Sequence, residues 1–139
     1  MSTRLLIATS CYLLVALISI LFGVIYLVKQ QFMPYHQQAL GMSWSELDAK
    51  MRVLILALMR ATGGGFLATG IALLLLLIFP WRAGNLWSLY GLPAIALCTS
   101  CGSLSATLLI TTQTPGKPPI VLSLLTIALT LLGFILSVI

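Results

Sequence analysis

The sequence predicts an all-α integral membrane protein, a single domain built as a bundle of four transmembrane helices. Three observations point there: the composition, four apolar stretches of bilayer length, and the prolines and charges that fall between them. Hydrophobic residues make up 60% of the chain and charged residues 6%, against roughly 45–50% and 25% in soluble domains. A soluble fold covers itself with charge. This chain has too little to do so, and lipid must supply the cover.

A hydrocarbon core of about 30 Å needs roughly 20 apolar residues in a helix. The spans expected are about 5–28, 44–79, 86–112 and 119–138, with a loop over 29–43. The first, Leu5–Val28, is longer than the apolar region of a signal peptide, and no small-x-small cleavage site follows it, so it reads as a retained helix. Before the second span, Ser43-Trp44-Ser45-Glu46 fits a capping box, with Ser43 as N-cap and Glu46 reaching back. A helix from Trp44 to Phe79 would be about 50 Å long at 1.5 Å per residue. That exceeds the bilayer core, so its first turns either project from the membrane or bend into the interface. Pro80 ends this span. The third begins at Leu86 or Pro93, and Trp81, Trp87 and Tyr90 beside it suit an interfacial aromatic belt. The turn Thr114-Pro115-Gly116-Lys117-Pro118-Pro119 stops the third span and opens the fourth with Pro119. Short second and third loops make the last three spans antiparallel neighbours. Lys29, Lys50, Arg52 and Lys117 lie on the side of the first and third loops, which leans these towards the cytoplasm.

Charge patterning excludes several functions. The basic residues are scattered without interleaved aromatics, so no nucleic-acid partner is expected. Glu46 and Lys50, like Asp48 and Arg52, stand at i,i+4 with the acid first and read as self-paired on a helix start. No carboxylate then remains inside a span, which disfavours a proton-coupled carrier. One histidine cannot build a bis-histidine haem site within the chain, and no metal is expected.

Arg60 falls near the hydrocarbon edge on the first-loop side. It either snorkels to headgroups or presents its planar fork to an anionic or polar ligand. Tyr35, His36, Trp44 and Thr111 belong near the same side and complete a candidate binding set for a lipid headgroup or quinone ring. Ser100, Ser103, Thr107 and Thr111 recur on one face of the third span, as helix packing or as the lining of a polar ligand site. Gly63, Gly64, Gly65, Ala68 and Gly70, with Gly102 on the third span, are candidates for close helix packing. Cys98 and Cys101 have the spacing of a redox dithiol, but they lie in an apolar run without a basic neighbour and read as structural.

Arg60-x-x-Gly63 followed by Gly70 resembles the second helix of DoxX-like small four-helix bacterial membrane proteins. The resemblance covers that helix and, beyond it, the number of helices. It implies a four-helix bundle in the bacterial inner membrane, with some relatives attached to quinone-linked oxidoreductases. With no acid in a span, no metal set and no nucleophile–base pair, the leading expectation is a non-catalytic accessory or scaffold subunit packing against partners or itself. A lipid- or quinone-binding protein, with or without a redox link, is the alternative. A small channel or carrier is the second.

Overall fold

The computed structural model describes residues 2–139. Its helices are α1 (Thr3–Val28), the short α2 (Pro34–Leu40), α3 (Ala49–Leu76), α4 (Leu86–Gln113) and α5 (Ile120–Val138). A 3-10 turn, Trp44–Glu46, precedes α3, and a π turn, Leu77–Trp81, continues it. Four of these elements are long and apolar enough to cross a membrane: α1, Ala49–Trp81, α4 and α5. The chain is a small, all-α membrane protein whose four spans form a bundle.

Around the bundle α1 packs on α3 and on α5, and α4 packs on α5 and, more thinly, on α3. The α1–α3 seam is tight because glycines remove side chains where the backbones cross. A Cβ on Gly23 would stand 2.6 Å from the Leu67 nitrogen, and one on Gly70 would stand 2.8 Å from the Ala16 carbonyl oxygen. A Cβ on Gly63 would meet the Gly23 oxygen at 2.9 Å. The close approach is narrower than the glycine run suggests: Gly64, Gly65 and Gly102 have nothing within 4 Å of an added Cβ, and Ala68 is exposed. These four do not join the seam. In a helix only one face can meet a given neighbour, so three consecutive glycines cannot all contact α1.

The second span starts later than its capping box predicts. Ser43 and Glu46 do form the box, the Ser43 amide donating to Glu46 Oε2 at 2.5 Å, but it opens the 3-10 turn. The helix proper starts five residues on, where Asp48 accepts from the amides of Lys50 and Met51 at 2.9 and 3.3 Å. Both acids therefore serve backbone amides, and neither expected i,i+4 ion pair is formed among the described residues. Arg52 instead donates from Nε to the Leu47 carbonyl and from Nη2 to the Ser45 carbonyl, at 2.8 and 3.0 Å, bracing the turn. At the other end Pro80 does not stop the span. It lacks an N–H to donate, and the helix widens into the π turn and runs on to Trp81.

Two apolar clusters fix the ends. Tyr12, Val15, Ala16, Leu73, Leu77, Leu92 and Ala96 fill the bundle towards the α3–α4 loop. Trp81 belongs to this plug rather than to an aromatic belt: it donates from Nε1 to Thr9 Oγ1 at 2.9 Å and meets Tyr12 edge-on. Trp87 and Tyr90 remain exposed. At the opposite end Tyr26, Phe32, Leu47 and Met59, with Met33, Trp44 and Ile55 against them, form a second cluster. It ties α2 and the 3-10 turn to the ends of α1 and α3.

Candidate functional site

Between the two clusters the bundle is not filled. A cavity of about 60 Å3 lies among α1, α3, α4 and α5. Nine of its fourteen lining residues carry a hydroxyl: Ser19 and Tyr26 from α1, Tyr35 from α2, Thr99, Ser100, Ser103 and Thr107 from α4, and Ser123 and Thr126 from α5. None of the lining residues is charged. Ile18, Phe22, Phe66 and Leu122 supply apolar wall between them. Since a water needs about 10–15 Å3 of such space, the cavity has room for a few waters or a small head group.

Helical spacing explains the convergence. Ser100, Ser103 and Thr107 lie at i, i+3, i+7 along one face of α4; Ser19 and Tyr26 are seven apart on α1; and Ser123 and Thr126 are three apart on α5. Several hydroxyls are held by their own helix. Ser19 donates to the Val15 carbonyl at 2.9 Å, Thr107 to the Leu104 carbonyl at 3.0 Å and Thr126 to the Ser123 carbonyl at 3.0 Å. Others tie helices together: Ser103 to Ser123 at 2.9 Å across α4 and α5, and Thr69 to Thr99 at 2.8 Å across α3 and α4. The second bond spans the thin side of the bundle. Around it, Thr62, Gly65, Phe66 and Thr69 of α3 face Thr99, Gly102, Ser103, Ala106 and Ile110 of α4 across a cleft that also touches Tyr26 and Tyr35. Gly65 and Gly102 leave this side open because they carry no side chain to close it.

From Ile18 to Tyr26 the cavity runs about 12 Å along α1 at 1.5 Å per residue. One end is shut by the plug around Leu92 and Ala96. The other is covered by α2, where the Tyr35 and Tyr26 hydroxyls hydrogen-bond to each other. Burial, with the Tyr26 hydroxyl beside it, pushes the Tyr35 phenol well above its ordinary pKa, so it stays a neutral hydrogen-bonding group. The lid is fastened at its far side too: the Lys117 amide donates to Gln38 Oε1 at 3.1 Å. Gly116 lies so close that a Cβ there would stand 2.9 Å from the Tyr35 carbonyl oxygen. Gly41, at φ +65°, ends α2 in the left-handed conformation that glycine adopts without strain.

Comparison with family models, with curated proteins and with solved structures finds no match.

The geometry of the site gathers some of the residues singled out in the sequence and separates others. Tyr35 lines the cavity, and Ser100, Ser103 and Thr107 are on its wall. His36 borders an apolar groove below the lid, with Met51, Ile55, Leu58, Met59, Thr62 and Ile110. Arg60 is half-buried and lines neither cavity nor cleft. Trp44 packs edge-on against Phe32 with ring centroids 5.1 Å apart, outside the cavity. Thr111 is exposed and donates to the Thr107 carbonyl at 2.8 Å. Cys98 and Cys101 are exposed on the outside of α4, while Cys11 is buried, and all three are free. Ser19, Tyr26, Thr99, Ser123 and Thr126 were missed. The signal was present in the fourth span, whose Ser123, Thr126, Thr130 and Ser137 share a helical face, and more faintly in the first, where Ser19 and Tyr26 are seven apart.

His36 is expected to make the lid sensitive to acid. Its Nδ1 accepts from the Met33 amide at 3.3 Å, and its ring meets Tyr35 and Phe32 edge-on. Burial lowers its pKa from the ordinary 6.5. A depressed imidazole pKa means the unfolded lid binds a proton more readily than the folded one, so its contribution is complete above pH 6.5 and is lost as pH falls below it. Amide exchange over residues 33–41, corrected for intrinsic rate, is expected to rise as pH falls from about 6.5 to 5.5 in the wild type, and His36→Asn should flatten that dependence. An identical pH response in both chains would remove His36 from this role.

Proposed function

We propose that this membrane protein binds an amphiphile, whose small uncharged head enters the hydroxyl-lined cavity while its apolar tail leaves through the α3–α4 cleft into the bilayer. The observation that carries the reading is the cavity itself: studded with hydroxyls, without charge, blind at one end and adjoining a sideways cleft. A charged head would be taken into a space with no counter-charge, at a cost of at least a few kcal/mol at membrane depth. A neutral head with oxygen atoms meets hydroxyls instead. A quinone ring and a neutral lipid head both satisfy this, and both carry tails that suit the cleft. The channel or carrier reading fares worse, because an apolar plug closes the bundle towards the α3–α4 loop. The bacterial inner membrane and kinship with DoxX-like proteins belong to the same proposal.

The test is photochemical mapping. A long-chain alcohol with a photoreactive tail, incorporated into membranes holding the protein, should label Thr62, Ala106 and Ile110 along the cleft more heavily than Val121 or Leu86, which are 71% and 78% exposed away from it. Labelling that follows exposure alone would mean ordinary lipid contact and sink the proposal.

A second reading keeps the accessory subunit. Gly64 and Ala68, one turn apart on the outside of α3, leave a small-residue surface with nothing of this chain against it, and such surfaces allow close approach of another helix. The two readings are compatible, since the cavity and this surface are separate parts of the bundle.

A further inference from the structure

We infer that the head group the cavity accepts is itself a hydroxyl donor, an alcohol-type head rather than one that carries only carbonyl or ether oxygens. The inference rests on the binding reading above and deepens it by following where the hydroxyl protons on the cavity wall go.

A hydroxyl has one proton to donate and two lone pairs to accept with. Ser19, Thr107 and Thr126 have committed their protons to carbonyls of their own helices. Towards the cavity they can only accept. Ser103 and Ser123 share one bond, so one proton of that pair is used within it and one is left. The Tyr26–Tyr35 and Thr69–Thr99 pairs are in the same position, and Ser100, whose hydroxyl makes no hydrogen bond among the described residues, keeps its proton for the cavity. Acceptors on the wall therefore outnumber donors. Ser19 and Thr126 are 6% and 7% exposed and Ser123 is 5% exposed, so bulk water does not answer those lone pairs. A head with only acceptor oxygens can take the few remaining protons, but it leaves Ser19, Thr107 and Thr126 facing lone pairs. A hydroxylic head donates to them and accepts from the pairs in the same pose.

Two sources supply that chemistry: a long-chain alcohol or glyceride of the bilayer, and a quinone in its reduced, dihydroxy form. The test uses two matched pairs on the full chain in phosphocholine-lipid nanodiscs, with binding read from the rise in melting temperature. One pair is a monoalkylglycerol and its dimethyl ether. The other is a decyl-tailed benzoquinol, kept reduced under argon, and its quinone. Within each pair the tail is unchanged and the hydroxyl protons are removed.

In at least one pair the hydroxylic member should bind about tenfold more tightly, as a net gain of one to two buried hydrogen bonds implies. The pair with the larger difference identifies the source. Thr107→Val with Thr126→Val keeps side-chain shape and removes two acceptors, and it should shrink the difference to about threefold or less. If that double variant unfolds, Ser19→Ala, which removes one acceptor, serves in its place. Equal affinity within both pairs in the wild type would overturn this inference while leaving amphiphile binding intact. No binding by any of the four compounds would overturn the binding reading, and the inference with it.

Discussion

Gly23→Leu is expected to prevent the bundle from assembling, whereas Gly64→Leu should leave it as stable as the wild type. At Gly23 the first added carbon already stands 2.6 Å from the Leu67 nitrogen and 2.9 Å from its Cα. These are backbone atoms and cannot rotate away, so α1 and α3 would have to separate. Overpacking of a well-fitted core typically costs about 1–3 kcal/mol when side chains can still adjust, and a leucine against backbone lies at or beyond the top of that range. Against a total stability of about 5–15 kcal/mol, with hydrophobic burial unable to hold helices together in lipid, this is a large fraction. At Gly64 an added Cβ meets nothing within 4 Å, and the change should fall within about 0.5 kcal/mol. Thermal unfolding of the two variants in one detergent separates them. Loss of stability in Gly64→Leu alone would show that the tight face of α3 is turned away from α1.

Ser103→Leu is expected to weaken ligand binding severely without unfolding the chain. Ser103 is on the cavity wall of α4, opposite Ser123, and a leucine there projects its branched end into the cavity. The substitution gives up one interhelical hydrogen bond, worth about 0.6 kcal/mol on average in membrane bundles, and replaces empty space with apolar contact. Stability should therefore change little, while affinity for the amphiphile falls roughly a hundredfold, equivalent to about 2.7 kcal/mol. Undiminished binding in a folded Ser103→Leu protein would move the head group out of this cavity.

How far the sequence disclosed this arrangement depends on which force set each part. The four spans were legible because bilayer length and apolar composition act locally, residue by residue. The start of α3 was not, because a capping box closes any helical turn. The one at Ser43 closes a 3-10 turn, and the true cap is Asp48. Gly63 and Gly70 stood out within a glycine-rich run, yet Gly23, which meets Gly63 and Leu67, is a lone glycine in a leucine-rich helix, and its importance comes only from what crosses it. The α4 face Ser100, Ser103, Thr107 was visible as periodicity. Its meaning depended on Ser19 and Thr126 facing it from other helices, which no single-span pattern reports. Arg60 drew attention because an intramembrane charge is costly, but the cavity it was expected to serve is built from neutral hydroxyls.

The most direct test of the central claim is native mass spectrometry of the protein released from its own membranes in a mild detergent, run beside Ser103→Leu. The account predicts that the wild-type chain carries one neutral, tailed molecule at fixed stoichiometry and that the variant does not. A wild-type chain that emerges bare, or a molecule retained equally by both, would contradict it.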